Sequence, residues 1–135
     1  MSLQNLQPEI YFSGEDIDET SPEKLENLAQ EVSKRNFKPL FHAPFFDLNI
    51  GAYDPKVRAL TLERIFWAFR AAKQFGATQV VVHPGYGPWV LNKNFESWFE
   101  RAKEALGQVV SKGEETGLKI AFENIYDDQP EDILS

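Results

Sequence analysis

The side chains best suited to chemistry are His42, His83 and Glu123, which follow one another at steps of 41 and 40 residues. Each closes an apolar run. Lys38-Pro39-Leu40-Phe41-His42-Ala43-Pro44 ends in His-x-Pro, and Thr78-Gln79-Val80-Val81-Val82-His83-Pro84-Gly85 ends in His-Pro-Gly. Leu118-Lys119-Ile120-Ala121-Phe122-Glu123-Asn124 ends in a carboxylate and an amide. Imidazole titrates near neutrality, shuttles protons and ligates metals, and a carboxylate serves as a general base or an oxygen donor to a metal. A carboxylate following Ile120-Ala121-Phe122 is costly to bury without a metal or another partner, which makes Glu123 a candidate for the same site. Asn124 either orients Glu123 or caps the next loop.

The runs that precede these residues read as strands. Three consecutive valines suit a strand covered on both faces, as in a parallel sheet, and Pro84 and Gly85 end the ladder. His83 then lies at the carboxyl end of its strand, and the same grammar places His42 and Glu123. Glu9-Ile10-Tyr11-Phe12 is a further, shorter strand, followed by Ser13-Gly14 and an acidic loop from Glu15 to Glu19.

Each interval holds one segment of helical period. Ser21-Pro22 is an N-cap followed by the residue best tolerated at the first helical position, and Leu25, Leu28, Ala29 and Val32 give that helix one inward face. Asp54-Pro55 repeats this start, and Val57, Leu60, Ile65, Phe66, Phe69 and Ala72 form a broad apolar face closed by Gly76. Asn94 caps a third helix with Phe95, Trp98, Phe99, Ala102, Leu106, Val109 and Val110 inward, Gly113 and Gly117 marking its end. Pro130 to Leu134 begins a fourth.

Two loops between strand and helix are rich in aromatics and able to wall a pocket: Phe45 to Tyr53, and Gly85 to Leu91. In the first, Asp47 and Asn49 read as turn formers, since both residue types bond their own backbone. In the second, Tyr86 and Trp89 are suited to stacking on the face of a ligand or to local packing.

Composition narrows the classes of function. The chain has 135 residues, 42% hydrophobic, enough for one domain with a core. It contains no cysteine, so disulfides, thiolate nucleophiles and thiolate metal sites are excluded. A net charge of -7 and a pI near 4.8 oppose general attraction to a phosphate backbone, so nucleic acid is a disfavoured partner. There is no apolar run of membrane-spanning length and no basic-then-apolar leader pattern, so we expect a cytoplasmic protein with no membrane partner.

Alternating strands and helices with helical crossovers imply parallel strands, in an open doubly wound sheet or in part of a (β/α)8 barrel. Ligands bind at the carboxyl ends of the strands in either case. Neither a G-x-G-x-x-G motif nor a P-loop is present, which disfavours nucleotide binding.

The motifs His42-Ala43-Pro44 with Asp47-Leu48-Asn49, Val81-Val82-His83-Pro84-Gly85 and Phe122-Glu123-Asn124, in this order, resemble the xylose isomerase-like barrel superfamily of sugar-phosphate isomerases and epimerases and the endonuclease IV group. The resemblance implies an α/β fold of parallel strand-helix repeats, about half of a (β/α)8 TIM barrel, namely strands two to five. A whole barrel takes about 250 residues. Residues 1–135 are therefore expected to form a single partial TIM-barrel domain, truncated at both ends.

The implied activity is that of a segment of a divalent-metal-dependent sugar or sugar-phosphate isomerase or epimerase, which transfers a proton next to a carbonyl. Such chemistry needs a positioned base and a metal that offsets the charge developing on oxygen. By this resemblance Glu123 and His83 are catalytic, and Glu123, His83 and His42 are metal ligands, the ion being Mn, Mg, Co or Zn. His42, Asn124, Tyr86 and Trp89 then bind substrate. The alternatives are a zinc apurinic-site nuclease, in whose relatives the positions of both histidines bind zinc, and a non-catalytic half barrel that binds a ligand or a partner. A half barrel leaves two sheet edges and one face open, so a homo-oligomer, or association with the missing barrel half, is expected.

Overall fold

Residue types decide where each helix starts. Ser13, Ser21, Asp54 and Asn94 all sit at N-caps, and each side chain accepts a backbone N–H of the first turn. In the computed structural model, which describes residues 7–87 and 94–123, these caps open α1 (Gly14–Glu19), α2 (Pro22–Lys34), α3 (Pro55–Gln74) and α4 (Phe95–Thr116). The strands are β1 (Glu9–Tyr11), β2 (Leu40–His42), β3 (Gln79–Val82) and β4 (Lys119–Phe122). The expected helix from Pro130 and the residues Trp89 and Asn124 lie outside the described residues.

The sheet has the order β1-β2-β3-β4 and every pairing is parallel, in line with an α/β fold built as part of a TIM barrel. Its register sorts side chains into two faces. Ile10, Phe41, Val80 and Ile120 are paired across the sheet and belong to the helix-side core, where Phe41 and Val80 meet Phe69, Ile65 and Val109. Tyr11, His42, Val81 and Ala121, one residue on, point to the opposite face, because successive strand residues alternate.

Four expectations are corrected. Glu15 to Glu19 belongs to α1, not to a loop, because Ser13 and Asp16 form a reciprocal capping box. Gly113 lies inside α4: it is buried, and a Cβ there would stand 2.6 Å from Ile120 Cγ1, so it serves close helix-sheet packing. Leu28, Leu60 and Val110 remain exposed at the edges of their helix faces. The valine run is covered on one face only, with Val80 and Val82 buried and Val81 half-buried.

Candidate metal centre

The 41-residue step from His42 to His83 has a simple meaning in this register. His42 pairs with Val81, so His83 lies two residues beyond its cross-strand partner and points to the same face. β3 and β4 pair through Val82 and Phe122, and the Glu123 N–H donates to the Val82 carbonyl at 3.0 Å, which sets Glu123 level with His83. All three side chains therefore project from the inner face at the carboxyl ends of adjacent strands.

There they converge. His42 Nε2 and His83 Nε2 are 3.0 Å apart, and Glu123 Oε2 lies 3.5 Å from the first and 3.3 Å from the second. Together they form the group of described residues able to hold a metal ion. His42 Nδ1 is 2.8 Å from the Ala43 carbonyl. A carbonyl only accepts, so Nδ1 holds a proton and Nε2 faces the cluster.

Burial disfavours the cation of His83. Its side chain is 7% exposed, and its pKa lies below the ordinary value near 6.5, first because burial disfavours the cation and then because His42 is adjacent; the Glu123 carboxylate opposes both. The Nδ1 atom of His83 is buried and has no hydrogen-bond partner among the described residues. The ring is held at Nε2 by the 3.0 Å contact with His42 Nε2, and it packs against Phe45 at 4.5 Å between ring centroids and against His42 at 4.8 Å.

The donor set fits a divalent ion. Donors about 2.0–2.1 Å from one ion stand about 2.9–3.4 Å apart at octahedral or tetrahedral angles, and the three edges here are 3.0, 3.3 and 3.5 Å. Two imidazole nitrogens and one carboxylate oxygen are a set suited to Zn and compatible with Mn or Co. Glu123, however, is 56% exposed, so the cost of burying its charge is not what marks it. Its position opposite two imidazoles does.

Phe45 was not among the residues singled out for the site. Its ring lies 5.1 Å from His42 and 5.9 Å from Tyr11, and Phe46 lies tilted against it at 4.3 Å while remaining 70% exposed. The signal in the sequence was the aromatic loop as a whole. Tyr11 also meets His42 edge-on at 5.9 Å. Tyr86 turns its ring onto Phe95 and Trp98, at 5.2 and 5.4 Å.

These observations define a class: parallel β/α repeats in barrel order with two histidines and a glutamate converging at the carboxyl rim. The family model of the xylose isomerase-like TIM barrel matches residues 8–133, and the chain belongs to that family. It is 32% identical over 105 residues to the uncharacterized protein MJ1311 of Methanocaldococcus jannaschii, a match that covers 78% of this chain and 36% of that protein. Among solved structures it is similar to a D-tagatose 3-epimerase-like protein, with a TM-score of 0.78 and 30% identity over 93% of this chain and 49% of the other. It is also similar to the TTHB071 protein from Thermus thermophilus, soaked with ZnCl2, with a TM-score of 0.69 and 28% identity over 92% and 49%. The chain thus spans about half the length of these solved structures, and less of the M. jannaschii protein.

Proposed function

We propose that this chain forms part of the catalytic rim of a divalent-metal-dependent sugar or sugar-phosphate isomerase or epimerase. The observation that carries this reading is the meeting of three donor atoms within 3.0–3.5 Å at the strand ends. The similarity to a D-tagatose 3-epimerase-like protein supports the sugar substrate.

In this reading His42, His83 and Glu123 hold the ion, which when bound polarises a substrate oxygen. Glu123, exposed and at the rim, is placed to take and return a proton at the carbon beside a carbonyl. Burial disfavours the cation of His83, which suits a ring that would give its Nε2 lone pair to a positive ion. Phe45 covers one side of the centre, and Phe46, exposed beside it, presents an apolar surface to a sugar ring. The remaining barrel strands are supplied by a further segment or by an associating copy, which also covers the edges β1 and β4.

The test is exchange in deuterated water. The chain is loaded with Mn2+, Co2+ or Zn2+ and incubated with ketoses and their phosphates while proton spectra are followed. Metal-dependent loss of the proton next to the carbonyl, abolished in Glu123→Gln, is the expected result. Exchange that persists in that variant or without metal refutes the assignment.

The pairing of two imidazoles with one carboxylate also favours a second reading, a zinc-dependent apurinic-site nuclease. The net charge of -7 weighs against it. Zinc-dependent nicking of an abasic duplex, without exchange on sugars, would establish it over the first.

A further inference from the structure

Phe45 and His83 sit on different loops, and Phe45 packs against an imidazole whose buried Nδ1 has no hydrogen-bond partner among the described residues. Something must fix one loop against the other. We infer that Asn49 is the positioning residue of the His42, His83 and Glu123 centre, an inference that rests on the metal-centre reading above.

Asn49 Oδ1 accepts two hydrogen bonds of 2.8 Å, from the Gly51 N–H and from the indole N–H of Trp98. Its own backbone N–H donates to Thr61 Oγ1 at 3.0 Å, and that hydroxyl donates to the Val57 carbonyl at 2.7 Å. Thr61 is 1% exposed and Trp98 3%. One residue thus fastens the β2–α3 loop to α4 through its side chain and to α3 through its backbone.

The neighbours of Asn49 carry the connection to His83. The Ile50 N–H donates to the carbonyl of Pro84, the residue after His83, at 3.3 Å. Gly85 lies against the same segment so closely that a Cβ would meet Leu48 O at 2.7 Å and Asn49 Cα at 2.8 Å. Upstream, Phe45 and Leu48 are joined by a 3.1 Å turn bond. The bonds of Asn49 therefore set where Phe45 stands relative to His83, whose ring it packs against. Asp47, by contrast, is exposed and adopts a left-handed turn conformation, so of the two polar residues read as turn formers only Asn49 has this role.

Removing the acceptor leaves the buried Trp98 N–H without its partner, a costly state that the loop relieves by moving. The donor triangle then loses its edge lengths. An aspartate keeps an oxygen for both donors.

The test compares the wild-type chain with Asn49→Ala, Asn49→Asp and Trp98→Phe by two readouts: zinc affinity from calorimetry, and the imidazole proton and nitrogen signals of His42 and His83 in the metal-free protein. Asn49→Ala is expected to lose about 10–100-fold in zinc affinity, the range for residues that orient ligands, and to shift or broaden both imidazole sets. Asn49→Asp should retain wild-type affinity and signals. A lower melting temperature with unchanged affinity and imidazole signals in Asn49→Ala would overturn the inference, leaving Asn49 a purely structural residue. If Asn49→Ala does not fold, Trp98→Phe decides: shifted signals support the role, and wild-type signals refute it. Should the wild-type chain bind no zinc, the metal reading fails, while the metal-free spectra still settle what Asn49 does.

Discussion

Exchanging Glu123 for glutamine separates metal binding from folding, because the carboxylate is the single anion among the three donors and is 56% exposed. Without metal it faces the two imidazoles at 3.3 and 3.5 Å, and an exposed pairing of that kind is worth about 0–1 kcal/mol. The metal-free variant should therefore melt within about 3 °C of the wild type. With metal the loss is larger. A charge of two about 2.1 Å from a carboxylate oxygen has a Coulomb energy of about 4 kcal/mol even at the dielectric of water. The amide oxygen restores part of this as a dipole, leaving about 2–3 kcal/mol, or about 30–150-fold in dissociation constant. Calorimetry with ZnCl2 and MnCl2 measures that factor directly. Thermal melts check it: at zinc 100 times the wild-type dissociation constant the wild type gains about 2.7 kcal/mol, and a variant binding about 100-fold more weakly gains about 0.4 kcal/mol. Equal dissociation constants and equal metal-induced stabilisation in the two proteins would remove Glu123 from the centre.

Two further outcomes follow from the same geometry. Gly85 has φ +83° and lies 2.7 Å, at the position of a Cβ, from Leu48 O, so Gly85→Ala should lose about 1–3 kcal/mol in urea unfolding; unchanged stability would mean the two loops are not in contact. His83 has a lowered pKa, so between its folded value and the ordinary value of about 6.5 the unfolded chain binds more protons. Its contribution to stability is present above about pH 6.5 and is lost as pH falls through the folded value. Metal-free urea midpoints should decline on acidification from pH 7.5, with a shallower slope in His83→Gln, and identical slopes would refute the burial of His83.

Much of the fold was legible because local chemistry was consistent with it. Ser21-Pro22, Asp54-Pro55 and Asn94 announced three helices, and all three caps are made. The apolar runs ending at His42, His83 and Glu123 announced parallel strands. The short α1 was not legible as a helix, since an acidic stretch with one buried side chain, Ile17, has almost no periodic signal; its capping box was the available clue. Gly113 was misleading for a related reason, because glycine marks helix ends and close packing alike. Within the site, the residue types were visible and their contacts were not. Phe45 looked like any aromatic of its loop, and Asn49 like any turn former, until the partners from α3, α4 and the β3–α4 loop were in place.

The deeper gap concerns parity. Side chains alternate along a strand, so two residues at strand ends share a face only when their spacing differs from the strand register by an even number. Between β2 and β3 the paired positions are His42 and Val81, 39 apart, while the histidines are 41 apart; the difference is two. Between β3 and β4 the pairing of Val82 with Phe122 and the spacing of His83 and Glu123 are both 40, and the difference is zero. One residue more or less in either offset would send a side chain into the helix-side core beside Phe41 or Val82. Spacing alone does not reveal register, so convergence was a hypothesis at the level of sequence. The register fixes it, and the same arithmetic leaves Val81 and Ala121 as the small inner-face floor beneath the two histidines and the glutamate.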